Sequence, residues 1–323
     1  MESMEGLDKE VIIVTGGAGF IGSNLVKGLL EMGAKNVIVL DIEVNRNSIY
    51  ASYGLNSKTV LRLVDIRKRD LLFDVFDSYN PSFIFHLAAE PIVDKAFLNP
   101  HAAFETNIMG TVNVLDAARR IKSIKGVIVA SSDKAYGKTT KAYDETFPLK
   151  GDHPYDVSKS AADLISNTYY KSFGLPVVIT RFGNVYGEGD FHLGRIIPDI
   201  CDAVINKKTL LLRSDGTYVR DYLYVKDVVD GYIFLLKHFK KAVGEAFNFS
   251  SSDSLSVLQL LKKSEKILGT KIDHKILNNA KNEIPYQHLN DKKIKQLGWK
   301  NNYNLEDALQ EVLNWYRKFY SND

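Results

Sequence analysis

A short apolar run followed by three regularly spaced glycines constrains this chain more than any other feature of its sequence. The run Val11–Thr15 (VIIVT) is β-branched and predicts a buried parallel strand. Gly16, Gly19 and Gly22 follow as G-x-x-G-x-x-G, and the apolar residues behind them recur at helical spacing. A strand, a glycine turn and a helix in this order make the pattern specific. The sequence therefore predicts an α/β fold with a Rossmann-type doubly wound parallel sheet.

The glycine turn has the character of a dinucleotide-binding site. Glycines let the backbone approach a pyrophosphate, and the free N–H groups and dipole at a helix N-terminus favour an anion. A tight turn that only packs the helix closely is the alternative, and it is less consistent with the motifs that follow. The residues expected to hold the cofactor here are Gly16, Gly19, Phe20, Ile21 and Gly22.

An aspartate after the second predicted strand favours NAD over NADP. Asn36–Leu40 (NVIVL) predicts that strand, and Asp41 follows it, nineteen residues after Gly22. A carboxylate at this place can accept hydrogen bonds from an adenosine ribose and would repel a 2′-phosphate. Arg46 is close enough in the sequence to keep NADP open.

The ends of the third and fourth predicted strands extend the cofactor site. Asp65 and Ile66 follow the third strand and are expected beside the adenine ring. Ala88 follows the fourth strand, where a small side chain lets the cofactor pass close to the backbone. Glu90 lies just beyond, where an acid can face the substrate.

The stretch 131–159 gathers the groups that can carry out chemistry. It begins at the end of a predicted strand with SSDKAYG and ends with YDVSK at Tyr155–Lys159. Tyr155 and Lys159 are spaced i, i+4, so they share one face of a helix. An ammonium beside a phenol favours the phenolate and lowers a pKa that starts near ~10. We therefore expect Tyr155 to act as a base near neutral pH.

Length and pattern predict two domains. The chain has 323 residues, and its steady alternation of strands and helices stops at a glycine-rich loop that starts at Gly183. We predict an NAD-binding Rossmann domain over 1–182. A smaller mixed α/β lobe over 183–323 would mainly bind substrate, with some chain returning to the first domain. Long helices predicted near 101–121 and 156–173 suggest, by analogy, the seam of a homodimer.

Composition argues against several other classes of function. The net charge of 42 − 39 = +3 gives no reason to expect nucleic acid or a membrane as a partner. No apolar run approaches the ~18 residues of a membrane span, and no Cys/His cluster has the spacing of a metal site. A single cysteine, Cys201, allows no disulfide within the chain and suits a reducing cytosol. We expect a cytoplasmic protein without a metal.

Taken together, these motifs resemble those of the extended short-chain dehydrogenase/reductase family. The resemblance runs nearly end to end, through TGGAGFIGS, HLAA, SSDKAYG, YDVSK, GNVYG and RDYLYVKDV. It is strongest to the branch of nucleotide-sugar epimerases and dehydratases, and within that branch to CDP-glucose 4,6-dehydratase-like proteins. Membership implies tightly held NAD and a nucleotide-diphospho-hexose lying across the cleft.

The resemblance also implies a role for each residue of the site. Tyr155 would take the proton from the sugar 4-hydroxyl, Ser132 would hydrogen-bond the same hydroxyl, and Lys159 would hold the nicotinamide ribose while a hydride leaves C4 for NAD. Arginine suits a diphosphate because it is a permanently charged fork of donors. The residues assigned to the substrate in this way are Asn184, Arg195 and Arg220.

Asp133 and Lys134 bear on whether the reaction is an epimerisation or a dehydration. A 4-epimerase only returns hydride to the other face of the 4-ketone, whereas a 4,6-dehydratase also needs a base for the C5 proton and an acid for the C6 hydroxyl. Many dehydratases have Asp-Glu here, and the Asp-Lys of this chain resembles CDP-glucose and UDP-N-acetylglucosamine 4,6-dehydratases. The resemblance implies Asp133 as acid, Lys134 as base, and hydride return to C6.

Two other functions stay open on the sequence alone. In a UDP-glucose or UDP-N-acetylglucosamine type 4-epimerase, Asp133 and Lys134 would be a local salt-bridged turn. A non-catalytic NAD-binding protein is the second alternative, and the intact set of Ser132, Tyr155 and Lys159 argues against it. The base of the dehydratase is also open, because Lys134 can accept a proton only if burial or a neighbouring charge lowers its pKa.

Overall fold

A seven-stranded parallel sheet forms the centre of the computed structural model, which describes residues 6–46, 48–279 and 284–321. The strands of the chain are β1 (Val11–Thr15), β2 (Asn36–Asp41), β3 (Val60–Leu63), β4 (Phe83–His86), β5 (Gly126–Ala130), β6 (Val177–Phe182), β7 (Asn184–Tyr186), β8 (Leu210–Leu212), β9 (Val219–Tyr224), β10 (Ala246–Phe249), β11 (Ser254–Ser256) and β12 (His274–Ile276). The central sheet has the order β10-β6-β5-β4-β1-β2-β3. From β1 the chain adds β2 and β3 on one side and then β4, β5 and β6 on the other, so the strand order reverses between β1 and β4. Ligands bind at such a point in open α/β sheets.

Helices cover both faces of this sheet. They are α1 (Phe20–Glu31), α2 (Ile49–Ser52), α3 (Arg69–Tyr79), α4 (Val93–Leu98), α5 (Pro100–Phe104), α6 (Gly110–Arg120), α7 (Pro154–Phe173), α8 (Ile196–Asn206), α9 (Val225–Lys237), α10 (Phe239–Ala242), α11 (Val257–Leu268), α12 (Lys292–Leu297) and α13 (Leu305–Ser321). Helices α1 and α9 pack together on one face, and α6 packs with α3 and α7 on the other. Alternate residues of β1 enter the two apolar cores, Ile12 and Val14 on one side and Ile13 on the other. The predicted doubly wound α/β fold is confirmed.

The long helix predicted over 100–121 is interrupted by one turn of π-helix, Glu105–Met109, between α5 and α6. Asn107 lies in this turn. Its side-chain nitrogen donates to Ser158 Oγ at 2.8 Å, and its oxygen accepts from the backbone N–H of Glu90 at 2.7 Å. The wider turn gives a polar side chain a place between β4 and α7. The apolar periodicity of the sequence carries no sign of it.

The residues after 183 form a smaller lobe of two short sheets, ordered β11-β9-β7 and β12-β8. Strand β7 and the first four residues of helix α8 lie in the segment 183–199, which the sequence predicts as a loop. Strand β7 forms there because it pairs with the distant strand β9. Strand β10 leaves the lobe and pairs in parallel with β6 in the central sheet. Within the described ranges, no helix is both long and apolar enough to cross a membrane.

Candidate active site

A cleft of about 1060 Å³ opens at the carboxyl ends of the central strands and is closed on its far side by the second lobe. Nearly all residues that the sequence singles out line it. They are Gly16, Gly19, Phe20, Ile21, Gly22, Asp41, Asp65, Ile66, Ala88, Ser132, Asp133, Lys134, Tyr155, Lys159, Asn184, Arg195 and Arg220. The structure thus brings together residues that are as far apart in the sequence as Gly16 and Arg220, 220 − 16 = 204 positions.

Glu90 is the predicted substrate residue that does not line this cleft. Its carboxylate accepts the backbone N–H of Ile92 at 3.1 Å, and its own backbone is held by Asn107. The side chain therefore caps its own loop, and this arrangement does not support a contact between Glu90 and the substrate.

The glycine turn has no space for side chains, as a dinucleotide site requires. A Cβ on Gly22 would clash with the carbonyl oxygen of Gly16, and a Cβ on Gly16, which has φ of +69°, would lie 2.8 Å from the nitrogen of Ala88. Helix α1 begins directly behind this turn at Phe20, so its first N–H groups are available to a pyrophosphate.

The carboxylate of Asp41 stands at the end of β2, on the same side of the cleft. It accepts the backbone N–H groups of Ala18 at 2.9 Å and Ile42 at 2.8 Å, which fixes its direction. Burial raises the pKa of this carboxyl, in spite of those hydrogen bonds. Farther along the cleft, the Ser131 hydroxyl is buried and makes no hydrogen bond within the described part of the chain. The glycine turn, the Asp41 carboxylate as an acceptor for a ribose, and the Ser131 hydroxyl without a partner together fit NAD.

Helix α7 places Tyr155 and Lys159 side by side at the bottom of the cleft, each less than a tenth exposed. The Lys159 ammonium donates to the carbonyl oxygen of Ala130 at 2.9 Å, and burial lowers its pKa to about 8. The pKa of Tyr155, in contrast, is raised by burial and by the Asp133 carboxylate, although Arg195 and the Ser132 hydroxyl lower it. The predicted lowering of the Tyr155 pKa is therefore wrong for the protein without a bound cofactor. The sequence does not reveal how deeply the phenol is buried.

Asp133 and Lys134 form the 3₁₀ turn that follows β5, and they share one partner from the other lobe. The Asp133 carboxyl is only 4% exposed and accepts from Ser132 Oγ and from Gln287 Nε2, both at 3.0 Å. The Lys134 ammonium donates to Gln287 Oε1 at 3.0 Å. Burial raises the pKa of Asp133, so its carboxyl can hold a proton at higher pH than an ordinary aspartic acid.

Besides Ser131, three further residues at or beside the cleft are absent from the set that the sequence predicts. Asp156 lines the cleft next to Tyr155, and burial raises its pKa to about 7 against the lowering effect of Lys134. His153 also lines the cleft; its Nδ1 is buried and makes no hydrogen bond to any residue that the structure describes, and burial lowers the pKa of its ring. Their one sequence signal is their position beside Tyr155. Gln287 has none, because it lies 153 residues from Lys134.

The second lobe supplies the polar residues on the opposite side of the cleft. Asn184 begins β7, Arg220 lies in β9, and Arg195 immediately precedes α8. Arg195 pairs with Asp190 at 3.2 Å. Among the described residues, no group of three metal-ligating side chains is found.

Comparison with known proteins agrees with this geometry. Residues 12–249 match the model of the NAD dependent epimerase/dehydratase family. The chain belongs to this family. The predicted membership is thereby confirmed, and so is NAD as the cofactor that the glycine turn and Asp41 fit.

Individual relatives of the epimerase/dehydratase family cover the chain almost completely. It is 30% identical to the CDP-glucose 4,6-dehydratase of Salmonella typhimurium, over 95% of this chain and 90% of that protein. It is 31% identical to a trifunctional UDP-glucose 4,6-dehydratase/UDP-4-keto-6-deoxy-D-glucose 3,5-epimerase/UDP-4-keto-L-rhamnose-reductase of Arabidopsis thaliana, over 94% of this chain. The chain spans about half the length of that relative, 47%.

Solved structures with either activity are similar to this chain. The dTDP-glucose 4,6-dehydratase DesIV from Streptomyces venezuelae superposes with a TM-score of 0.86 at 30% identity, over 95% of this chain and 97% of that chain. The UDP-glucuronic acid 4-epimerase from Bacillus cereus, in complex with UDP-glucuronic acid and NAD, superposes with a TM-score of 0.88 at 27% identity. The match covers 96% of this chain and 99% of the epimerase. The backbone alone therefore does not distinguish a dehydratase from an epimerase, and the side chains at the end of β5 must do so.

Proposed function

We propose that this protein is an NAD-dependent nucleotide-sugar 4,6-dehydratase, which converts a nucleotide-diphospho-hexose into its 4-keto-6-deoxy form. The observation that carries the proposal is a buried acid, Asp133, beside Lys134 in the cleft that also holds Tyr155 and Lys159. An epimerase needs the tyrosine and its lysine but has no use for a buried proton donor next to them. The similarity to CDP-glucose 4,6-dehydratase supports the same choice.

The first half of the reaction oxidises C4 of the sugar. Tyr155 accepts the proton of the 4-hydroxyl, and the Ser132 hydroxyl hydrogen-bonds the same oxygen. Lys159, held against Ala130, is placed to bind the ribose of the cofactor. The bound cofactor supplies a hydride acceptor and a positive charge that offsets the raised pKa of Tyr155, and later it supplies the hydride for C6.

The second half eliminates water across C5 and C6. With C4 a ketone, the C5 proton is acidic, and Lys134 accepts it in its neutral amine form. Asp133 gives its proton to the C6 hydroxyl, the C6–O bond breaks, and a C5–C6 double bond forms. Its raised pKa lets Asp133 carry that proton at higher pH than an ordinary aspartic acid. After hydride has returned to C6, Lys134 returns a proton to C5.

The second lobe would hold the diphosphate of the substrate. Arg195 and Arg220 line the cleft opposite the catalytic residues and provide permanent positive charge with forked donors. Asn184 contributes an amide on the same side. We leave Glu90 out of this substrate site because its carboxylate caps its own loop.

Mass measurement on a panel of substrates tests the proposal. The protein with NAD is incubated with CDP-, UDP-, dTDP- and GDP-hexoses, and each product is weighed. A dehydratase gives a product that is lighter by one water, and changing Tyr155 to Phe should cripple its formation. An isobaric product with inverted C4 would establish the 4-epimerase instead, which the structural similarity to UDP-glucuronic acid 4-epimerase makes the second candidate. No turnover of any of them would favour a non-catalytic NAD-binding protein.

We further propose that the enzyme is a cytoplasmic homodimer. The outer surface of the helices around 101–121 and 156–173 carries apolar side chains, with Met109 at 53%, Val157 at 37% and Leu164 at 54% exposure. Val157 and Leu164 are spaced i, i+7 and so share one face of α7. The single cysteine, which cannot form a disulfide within the chain, supports a reducing compartment.

A further inference from the structure

The segment 285–290 carries Gln287 from the second lobe to the end of β5. Its backbone is tied to β9, where Gln287 N–H donates to the carbonyl oxygen of Val219 at 3.1 Å and Val219 N–H donates to that of Pro285 at 3.0 Å. On the other side, Tyr143 N–H donates to the carbonyl oxygen of His288 at 2.9 Å. The segment is therefore fixed at both edges.

Side chains fix the same segment a second time. The buried Asp221 carboxylate accepts from His288 Nδ1 at 2.7 Å and from the backbone N–H of Leu289 at 2.8 Å. Gln287 itself is 1% exposed. A long polar side chain held so tightly has little freedom, and the position of its amide is set by the scaffold rather than by chance contacts.

The amide of Gln287 lies between the two groups that the elimination needs. Its orientation follows from chemistry, because the Lys134 ammonium can only donate and must meet the carbonyl oxygen. The amide nitrogen then faces Asp133 Oδ2 and donates to it at 3.0 Å. An amide nitrogen can only donate, so Oδ2 must remain an acceptor. Oδ1 faces the Ser132 hydroxyl, which can turn from donor to acceptor, so the proton that Asp133 transfers resides on Oδ1.

We propose that Gln287 is a positioning residue for the elimination step, which directs the transferable proton of Asp133 to Oδ1 and holds Lys134 through the same amide. The inference rests on the proposed dehydratase function. An amide suits this place because it presents a donor and an acceptor without charge. A carboxylate here could hold Lys134 but would repel the ionised form of Asp133.

Two variants separate these contributions. Gln287→Leu has similar volume and removes both hydrogen bonds, and Gln287→Glu keeps the acceptor for Lys134 but removes the donor to Asp133. Gln296→Leu, the same change at an exposed position on α12, is the matched control. In single turnovers with NAD and the sugar nucleotide that the wild-type enzyme dehydrates, reduced nicotinamide reports C4 oxidation and product mass reports loss of water.

In Gln287→Leu we expect reduced nicotinamide to accumulate while loss of water slows by about tenfold to a hundredfold, as for a misplaced catalytic group. In Gln287→Glu we expect the pH–rate profile for water loss to shift upward by about one unit or more, because two adjacent carboxyls share a proton. Wild-type rates and pH profile in both variants would overturn the proposal. So would equal slowing of oxidation and elimination, which indicates only a damaged cleft.

A measurement that does not depend on turnover keeps this inference distinct from the proposed function. The carboxyl carbon of Asp133, assigned by its loss in Asp133→Asn, can be titrated by ¹³C NMR in the full-length protein. A rise of its pKa in Gln287→Glu, absent in Gln296→Leu, supports the contact between Gln287 and Asp133 even if the wild-type protein releases no water. An unchanged Asp133 pKa would refute it.

Discussion

At the scale of single residues, the choice between two bases for C5 is the sharpest question that the cleft raises. Lys134 and Asp156 both line it, and both carry a group that can accept a proton in one of its forms. Lys134 is the better candidate because it shares the Gln287 amide with the acid Asp133, so the two proton-transfer groups of the elimination are adjacent.

Exchange at C5 tests this assignment. When the reaction runs in deuterium oxide, the base delivers deuterium to C5 of the product. We expect Lys134→Met to slow water loss, and with it the formation of C5-labelled product, by about 10²–10⁴-fold, the usual contribution of a general base, while Asp156→Asn forms labelled product at nearly the wild-type rate. Slow formation of labelled product in Asp156→Asn together with a wild-type rate in Lys134→Met would transfer the role to Asp156.

Asp156 should also make the free energy of unfolding depend on pH. Its pKa rises from that of an ordinary aspartic acid to about 7 on folding, mainly through burial, so the folded state disfavours the ionised form. Its contribution is therefore favourable below the unfolded pKa of ~3.9 and is lost as pH rises towards 7. Asp156→Asn, measured by denaturant unfolding at pH 8, should be more stable than wild type by up to about 4 kcal/mol, the equivalent of three pKa units.

A matched control is available for that measurement. Asp70 lies, like Asp156, in the first turn of a helix, but it is exposed. Asp70→Asn should leave the free energy of unfolding unchanged or lower it slightly, because it removes a favourable interaction with the helix dipole. An Asp156→Asn variant that is no more stable than wild type at pH 8 would show that the carboxyl is ionised without penalty.

The same residues show which parts of the site can be predicted from the sequence and which cannot. Tyr155 and Lys159 could be predicted as a pair because helical periodicity alone puts them on one face. Gln287 could not, since only the tertiary fold brings it to Lys134 across 153 positions. The direction of the Tyr155 pKa shift depends on burial, and burial is a property of the packed molecule rather than of the motif.

At the scale of elements, local patterns predict the central sheet well and miss short elements that depend on contacts with distant parts of the chain. Strand β1 has the predicted bounds because a β-branched run between polar residues and glycines is a local signal. Strand β7 has only three residues and owes its conformation to pairing with β9, so composition alone suggests a loop. The sequence does not predict the π-turn before α6 either, because the apolar residues on both sides of it follow ordinary helical spacing.

One ion pair of the segment 285–290 makes the stability of that segment depend on pH. The hydrogen bond from His288 to Asp221 raises the pKa of the imidazole. A raised histidine pKa gives stability that is complete below the unfolded pKa of ~6.5 and is lost as pH rises through the folded pKa. The pair therefore holds Gln287 most firmly on the acid side of neutrality.

Replacing His288 tests this dependence. We expect His288→Gln to lower the melting temperature at pH 6 and to lower it less at pH 9, where the wild-type imidazole has lost more of its charge. His101, whose side chain is 82% exposed, provides the control His101→Gln. An equal loss of stability at both pH values would mean that the neutral ring contributes as much as the charged one.

At the scale of the whole molecule, the cleft is shared between two parts of the chain. In the proposed mechanism, the first part provides the turn for NAD and the proton acceptor Tyr155. The second lobe would provide the donors to the diphosphate and, through Gln287, the alignment of Asp133 and Lys134. Neither part is a complete site, and the strand β10 that returns to the central sheet ties them together.

The exposed apolar face on the helices around 101–121 and 156–173 is the expected interface of the proposed homodimer. A specific dimer interface buries on the order of 800 Å² per partner around an apolar centre, and Leu164 lies at 54% exposure between Val157 and the end of α7. A lysine there would place a charge in that centre.

We expect Leu164→Lys to sediment as a monomer in analytical ultracentrifugation at micromolar concentration, whereas wild type sediments as a dimer. Leu71→Lys, a change at a similarly exposed leucine on α3, should remain dimeric. A wild-type protein that sediments as a monomer, or a Leu164→Lys protein that sediments as a dimer, would place the association surface elsewhere or remove it.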